Sequence, residues 1–385
     1  MRTVLVTGPG GSGRTTVAAA TALAAARAGG RALLLSAGSL DGPLGISPGP
    51  EPVEVEPGLW AAGIDPGEHF RTETLALQER LSAGLDLLGA RPLAAEEITE
   101  LPGGQQSALL HAVRRAAGGR WDLVVVDLPP LRDALALLAL PEQLRRYLRR
   151  LLPRERQAAR ALRPMMAQLA GIPMPAQWLY EAAARWDEGL AAVQALIEDP
   201  GTTVRLVAEP GPAAAEALRS ARTALALYGL RVDTVVANRV LPPEAGAWLT
   251  TLVAQQRKCL DEWSEAWPAT HETPHLGRDP RGADDLARLG AAAVGPGAAP
   301  AHWPVEDRLA EENLLVWCVP LPGAVKSELG LVRRDDELLL SVGPFHRTVP
   351  LPSALRRCTV TGAALTDGVL RVRFTPDPAL WPRTP

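Results

Sequence analysis

The stretch Gly8-Pro9-Gly10-Gly11-Ser12-Gly13-Arg14-Thr15-Thr16 lies between a short apolar run, 3–7, and an alanine-rich run, 16–28. The first run is typical of a buried strand, and the second, which ends at Gly29-Gly30, is typical of a helix. A glycine-rich loop at a helix N-terminus points backbone N–H groups into one concavity that favours phosphate oxygens. The sequence therefore predicts a phosphate-binding loop (P-loop). Its predicted nucleotide-binding residues are Gly8, Gly10, Gly11, Ser12, Gly13, Arg14, Thr15 and Thr16.

Arg14 is the one departure of this loop from the P-loop pattern, which has lysine at this position. Arginine keeps the charge, but its guanidinium is planar, longer and forked. Of the 40 lysines and arginines in the chain only Lys258 and Lys326 are lysines, so genomic drift towards arginine is one explanation of the exchange. Tolerance of arginine at this position favours a site that no longer needs to hydrolyse its nucleotide.

Composition and charge narrow the class of protein. The chain of 385 residues is 47% apolar and 22% charged, as in ordinary globular proteins, and its net charge of −3 gives no reason to expect nucleic acid as a partner. No signal segment or run of 18 apolar residues is present, which predicts a cytoplasmic protein without an integral membrane segment. Cys259, Cys318 and Cys358 are widely separated, so we expect no zinc site.

Strand and helix signals alternate along the first three quarters of the chain. After 3–7, apolar strands are predicted at 32–36, 59–65, 122–127, 204–208 and 232–238, with helical segments near 213–228 and 244–265. This alternation predicts an α/β fold with a doubly wound parallel sheet. Residues 1–290 form the predicted P-loop domain, with a helical subdomain at about 66–200 that only the strand 122–127 interrupts.

The C-terminal part has a different pattern. Residues 291–304 are rich in Gly, Ala and Pro and are predicted to be a linker. Beyond it, 305–385 contains short apolar stretches at 314–319, 337–342, 347–351 and 369–374, and Asp367-Gly368 is a hairpin signal. We therefore expect a small all-β sandwich.

Several of these stretches together resemble the arsenite-transporting ATPase family, which also contains the ATPase for guided entry of tail-anchored membrane proteins. GPGGSGRTTVAAATA resembles the family's P-loop, GLWAAGID a strand after switch I, and VVVDLPPLRDALALLALPEQL its switch II segment. RLVAEPGPAAAEALR and VVANRVLPPE resemble two further stretches. The tail resembles the small heat-shock-protein-like domain of many bacterial members, so the likeness covers nearly the full length.

The resemblance implies a site for ATP or ADP with Mg²⁺. The family's pattern gives the Thr15 hydroxyl a role at Mg²⁺ and gives Asp127 a role at a Mg²⁺-bound water, although an acid that caps the next segment is the alternative for Asp127. Pro9 replaces a signature lysine that reaches across a dimer to the partner's phosphates, and Arg14 replaces the second lysine. The implied assembly is a homodimer or a heterodimer with a related paralogue.

Both switch segments depart from the family's pattern. Switch I carries an aspartate that orients the attacking water, whereas this chain has Gly38 and Ser39 near that point. Asp41 is a candidate substitute, and a solvated turn aspartate is the alternative. In switch II, Asp127 and Pro130 persist. Residues that respond to the γ-phosphate are replaced by Leu128, Leu131, Arg132 and Asp133.

Two further features of the sequence concern contact with the adenine base and binding of a client protein. Asn238 resembles the family's adenine-contacting asparagine, the alternative being an asparagine that binds its own backbone. The cysteine constellations with which family members bind zinc or sense arsenite do not occur here. Methionines and tryptophans cluster in 163–186 and favour either a protein client at the helical subdomain or core packing. The cluster comprises Met165, Met166, Met174, Trp178 and Trp186.

Three functions are compatible with this sequence. The first is a protein that binds nucleotide, is impaired in hydrolysis, and acts as a scaffold or regulatory subunit. The second is an active ATPase that drives transport or delivery of a client. The third is a protein-binding module that no longer uses nucleotide.

Overall fold

An eight-stranded sheet forms the centre of the N-terminal part of the molecule. The computed structural model describes residues 1–80, 91–152, 177–295, 297 and 302–381. The strands of this sheet are β1 (Arg2–Thr7), β2 (Ala32–Ser36), β3 (Val53–Glu56), β4 (Leu59–Gly63), β5 (Leu123–Asp127), β6 (Thr202–Ala208), β7 (Val232–Val240) and β8 (Thr270–Pro274). Their order is β3-β4-β2-β5-β1-β6-β7-β8, and every neighbouring pair is parallel except β3 and β4.

The sheet is buried on both faces, which explains its continuous apolar strands. Along β1, Val4 packs into one hydrophobic core and Leu5 into the other, because successive side chains point to opposite faces. Each core is covered by helices, so the predicted doubly wound α/β fold is confirmed. Among the described residues the helices of this part are α1 (Arg14–Arg27), α2 (Asp41–Leu44), α3 (Pro66–Arg80), α4 (Gly104–Ala117), α5 (Leu131–Leu151), α6 (Gln177–Glu198), α7 (Pro212–Tyr228), α8 (Thr250–Ala266) and α9 (Gly282–Arg288). A further short helix, α10 (Leu309–Glu312), belongs to the C-terminal part.

The C-terminal part consists of two antiparallel sheets, which confirms the predicted all-β tail. One has the order β14-β15-β10-β9 and the other the order β11-β12-β13. Asp367 and Gly368, with φ of 51° and 70°, form the predicted turn between β14 and β15. The strands are β9 (Val305–Arg308), β10 (Leu314–Pro320), β11 (Leu329–Arg334), β12 (Glu337–Val342), β13 (Phe345–Pro350), β14 (Cys358–Thr366) and β15 (Val369–Pro376).

The tail contacts the P-loop part through α5 and α7. Arg146 on α5 donates to both carboxylate oxygens of Glu337, and Arg347 pairs with Glu142 at 3.1 Å. Leu227 on α7 is fully buried and packs in the core of the tail.

The linker and the domain boundaries that the sequence predicts are not tested by the structure. Part of the predicted linker 291–304 lies outside the described residues, and the predicted domain boundaries stay a prediction. No helix in the described parts of the chain is long and apolar enough to cross a membrane.

Candidate functional site at the P-loop

The P-loop joins β1 to α1, and its glycines serve two different purposes. A Cβ on Gly8 would lie 1.8 Å from the Val207 carbonyl oxygen, and one on Gly13, at φ +85°, would lie 2.3 Å from Nδ2 of Asn238. Neither position can hold a side chain without a shift of its neighbours. A Cβ on Gly10 or Gly11 would meet no heavy atom within 4 Å, and both residues are exposed. The first pair therefore shapes the loop, and the second pair leaves its outer face open.

A cluster of three oxygen-bearing side chains lies beside the loop. Thr15 in the first turn of α1 donates its hydroxyl to Oδ2 of Asp127 at 2.7 Å, and Ser36 donates to the same oxygen at 2.8 Å. Asp127 ends β5 and Ser36 ends β2, where the register pairs the two residues. Parallel strands thus bring both side chains to the carboxyl edge of the sheet, where ligands bind in such folds.

Asp127 is 6% exposed, and this burial raises its pKa above the ordinary value. The hydrogen bonds from Thr15 and Ser36, and the positive charge of Arg14, oppose that shift because they stabilise the charged form. Ser36 did not emerge from the sequence as a site residue. The sequence does show Ser36 as a hydroxyl residue at the end of an apolar strand. That this strand lies beside the strand of Asp127 is known only from the structure.

Arg14 points towards the segment after β5. Its guanidinium donates to the Leu128 carbonyl at 2.6 Å. The same segment also accepts a bond from the Thr7 hydroxyl at the Pro129 carbonyl, at 2.8 Å, and donates one from the Leu131 backbone N–H to the Gly8 carbonyl, at 3.0 Å. The P-loop and the start of α5 are therefore connected by three hydrogen bonds. Thr16 follows on α1 and is half-buried.

Gly38 lies near the point at which the switch I pattern of the family, as the resemblance implies, carries an aspartate. Its backbone N–H donates to the Ser36 hydroxyl at 3.0 Å. A Cβ on Gly38 would lie 3.2 Å from the Thr15 hydroxyl oxygen and 3.4 Å from Oδ2 of Asp127. An acid at this position would therefore adjoin the oxygen cluster, but glycine contributes no side chain.

Asp41, the candidate substitute for that acid, begins α2. Its side chain is exposed, and its backbone N–H donates to the Ser39 hydroxyl at 3.2 Å. This is the local bonding expected of a turn residue. A catalytic role for Asp41 stays a prediction.

Asn238 on β7 is hydrogen-bonded to the P-loop. It is buried, its Nδ2 donates to the Ser12 carbonyl at 2.8 Å, and its Oδ1 accepts from the Thr273 hydroxyl at 2.8 Å. The contact with adenine stays a prediction, and the observed role is to brace the P-loop. The Ser12 hydroxyl oxygen is buried and has no partner among the described residues.

Arg239 is a further basic residue at the loop that the sequence did not single out. It has a left-handed backbone, with φ 58°, and donates to the Gly11 carbonyl at 3.0 Å. Glu209 pairs with it at 3.4 Å. The signal available in the sequence was a basic residue next to Asn238 near the carboxyl end of an apolar strand.

The side chains at this site suit a phosphate group with bound Mg²⁺. Hydroxyl and carboxylate oxygens, as offered by Thr15 and Asp127, are the ligands that Mg²⁺ takes in proteins. Gly10 and Gly11 leave room for phosphate oxygens to approach the backbone, and the buried Ser12 hydroxyl has a donor to offer. Two guanidinium groups, Arg14 and Arg239, contact the loop or its neighbouring segment.

A second concave surface lies between α3, α4, α5 and α6. This helical groove, with a volume of about 640 Å³, is mostly apolar and is bordered by Asp133 in the first turn of α5. Of the predicted methionine and tryptophan cluster, only Trp186 can be placed, and it is exposed in this groove. Met165, Met166 and Met174 lie outside the described residues, as does the side chain of Trp178. Apolar side chains in the groove include Leu110, Leu137, Leu140, Leu190 and Val193.

Comparison with known proteins places this geometry in context. A family model described as anion-transporting ATPase matches residues 1–294, and one described as an HSP20-like domain found in ArsA matches residues 312–374. An uncharacterized protein of Streptomyces coelicolor is 60% identical over 389 positions and 100% of both chains. A Mycobacterium tuberculosis protein is 33% identical over 99% of this chain and 97% of its own. An Aquifex aeolicus protein named "Putative arsenical pump-driving ATPase 1" is 25% identical, over 92% and 95%.

Proposed function

Because this chain belongs to the anion-transporting ATPase family, we propose that it binds an adenine nucleotide with Mg²⁺ at the P-loop but is impaired in hydrolysis. In this proposal it acts as a scaffold or regulatory subunit. One observation carries the proposal. The oxygen cluster of Thr15, Ser36 and Asp127 is assembled, yet Gly38 beside it has no carboxylate with which to orient a water molecule.

Binding is assigned to the open face of the loop. The backbone at Gly10 and Gly11 and the N-terminus of α1 would receive the phosphates, which the helix dipole also favours. Thr15 and Asp127 would hold Mg²⁺, which when bound neutralises phosphate charge. The Ser12 hydroxyl would gain the hydrogen-bond partner that it otherwise lacks among the described residues.

Impaired hydrolysis follows from the groups that phosphoryl transfer requires. Transfer depends on a positioned nucleophile and on cations placed at the developing charge. Pro9 supplies neither a charge nor a backbone N–H, and the Arg14 guanidinium is bonded to the Leu128 carbonyl. With Gly38, three contributions to catalysis are therefore missing or displaced.

The first test separates binding from turnover. We expect Mg-ADP at about a hundred times its dissociation constant to stabilise the full chain by about 2.7 kcal/mol. Thr15→Val should abolish this thermal shift, whereas the control Thr74→Val, which removes a hydroxyl bonded to the Phe70 carbonyl on α3, should keep it. The absence of any shift with ATP or ADP would overturn the proposal in favour of a protein-binding module without nucleotide.

The second test concerns hydrolysis itself. We expect no phosphate release above background from the natural chain, and more than about a tenfold gain from the triple variant Pro9→Lys, Arg14→Lys, Gly38→Asp. Adding Asp127→Asn to the triple variant should remove the gain. Turnover by the natural chain that Asp127→Ala abolishes would show an active ATPase and refute impairment.

The proposed scaffold or regulatory role includes a dimer, either of this chain or with a related paralogue that contributes its own lysines. The helical groove supports a protein client with an apolar segment, since leucines and the exposed Trp186 line it. Repeating the phosphate-release assay with an added paralogue tests the heterodimer. A scaffold without a catalytic partner would leave the rate unchanged, whereas a regulatory subunit would raise or lower it.

A further inference from the structure

Two histidines and a glutamate converge away from the P-loop. His69 and Glu73 are four residues apart on α3 and therefore share one face of that helix. His111 on α4 faces them, and the centroids of the two imidazole rings are 4.9 Å apart. One potential ligand atom of each of the three residues lies within 4.8 Å of those of the other two.

This donor set has a definite chemical preference. Imidazole nitrogens with a carboxylate oxygen suit Zn²⁺ and neighbouring divalent transition metals, whereas Mg²⁺ and Ca²⁺ take oxygen ligands. Three protein ligands leave a fourth tetrahedral position open. Ligand atoms about 2.0–2.1 Å from a tetrahedral ion are about 3.4 Å from one another. The ligand atoms lie within 4.8 Å of one another, so binding an ion requires them to approach one another by up to about 1.4 Å.

A hydroxyl and a carboxylate adjoin the two imidazole rings. The Ser107 hydroxyl lies 3.4 Å from Nε2 of His69 and can orient that ring or a bound water. Glu73 is exposed and supplies the negative charge that a cation requires.

The cluster also lies where two cavities meet. His69, Glu73 and His111 line both the helical groove and a second cavity of about 500 Å³ that extends to β2 and Trp121. An ion held there would have its open coordination position directed into accessible space rather than into a packed core.

We propose that His69, Glu73 and His111 form a binding site for a divalent transition-metal ion, with Zn²⁺ as the best match to the ligands. This inference is independent of nucleotide binding at the P-loop. The expectation of no zinc rested on the spacing of cysteines, and the helix pairing creates a ligand set that cysteine spacing does not reveal.

The experiment uses the full chain, without an affinity tag and stripped with a chelator. Titration with Zn²⁺ should show one tight equivalent, and Co²⁺ should give the visible absorption of a tetrahedral site. We expect His69→Gln, Glu73→Gln and His111→Gln each to weaken binding by more than about tenfold. His346→Gln is the matched control, since His346 is an exposed histidine in the tail. Variants that bind as tightly as the natural chain would overturn the site.

A measurement on the natural chain guards against variants that do not fold. X-ray absorption at the zinc edge should show two imidazole ligands and only nitrogen or oxygen neighbours. Sulfur scattering would assign the metal to the free cysteines Cys259, Cys318 or Cys358 and refute the proposal. Failure to bind any equivalent of Zn²⁺ or Co²⁺ would refute it as well.

Discussion

At Asp127, burial and charge have opposite effects on the pKa. The carboxylate is buried at the end of β5, where desolvation favours its protonated form, and two hydroxyl donors and Arg14 favour its charged form. Desolvation dominates, so the pKa is raised. A protein that needs this carboxylate for a cation therefore gives up stability in the absence of that cation.

Replacing Asp127 with asparagine should consequently stabilise the free protein at neutral pH. The folded state holds the proton more tightly than the unfolded chain, so the charged carboxylate costs stability above its raised pKa. This cost disappears as the pH falls towards the ordinary value of 3.8. We expect Asp127→Asn to raise the unfolding temperature by a few degrees, since about 1 kcal/mol corresponds to roughly 2–4 °C in domains of 150–250 residues.

Thermal unfolding from pH 4 to pH 8 without Mg²⁺ tests this expectation. The gain should be largest at high pH and should shrink towards pH 4. Glu209→Gln, at a half-exposed carboxylate near the loop, is the control and should show no such trend. A destabilised Asp127→Asn variant at pH 8 would contradict the assignment.

At the scale of the element, central strands could be predicted from the sequence and edge strands could not. The central strands β1, β2, β5, β6 and β7 could be predicted because burial on both faces demands continuous apolar residues. The edge strands β3, with sequence VEVE, and β8, with sequence THETP, were missed because exposed edges tolerate polar residues. The predicted family is confirmed by the family models that match residues 1–294 and 312–374, and its motifs lie on these central strands and their loops.

Site residues divide in the same way. Thr15 and Asp127 belong to motifs that are contiguous with the P-loop or a strand end, so the sequence could predict them. Ser36 and Arg239 join the site only through strand order and an unusual φ. His69, Glu73 and His111 meet only because α3 packs on α4, which no local pattern determines.

The contrast between loop glycines gives a matched pair of variants. Gly8→Ala would drive a Cβ into the backbone of β6, where nothing can rotate away, so we expect a loss of about 1–3 kcal/mol or more. Gly10→Ala meets no heavy atom within 4 Å and should leave stability within about 0.5 kcal/mol. Denaturant unfolding measures both, and equal costs would contradict the assigned division of roles.

At the scale of the whole molecule, α5 contacts the P-loop, the helical groove and the tail. Its first residue, Leu131, bonds the P-loop, Leu137 and Leu140 line the helical groove, and Arg146 and Glu142 pair with the tail. A hydrogen bond from Arg146, opposed by partial burial, lowers the pKa of Glu337. We therefore expect the ion pair of Arg146 and Glu337 to weaken as the pH falls through the lowered pKa of Glu337.

A double-mutant cycle on Arg146→Ala and Glu337→Ala measures that junction. Because the pair is partly exposed, we expect a coupling energy of about 1 kcal/mol at pH 7. The coupling is present above the ordinary pKa of glutamate and lost as the pH falls through the lowered value. The exposed pair Arg219 and Glu216 is the control and should couple more weakly. A coupling at pH 7 no larger than that of the control would contradict the role of this pair.

Gly38 also has a meaning for the history of this chain. A glycine codon that ends in a pyrimidine becomes an aspartate codon by one base change, and the site already leaves its Cβ position beside Thr15 and Asp127. Random mutation therefore offers a carboxylate at this place repeatedly, with no need to rebuild the fold. In a lineage where hydrolysis conferred an advantage, selection could recover the acid readily. Under the proposed impairment of hydrolysis, no such selection acts on Gly38.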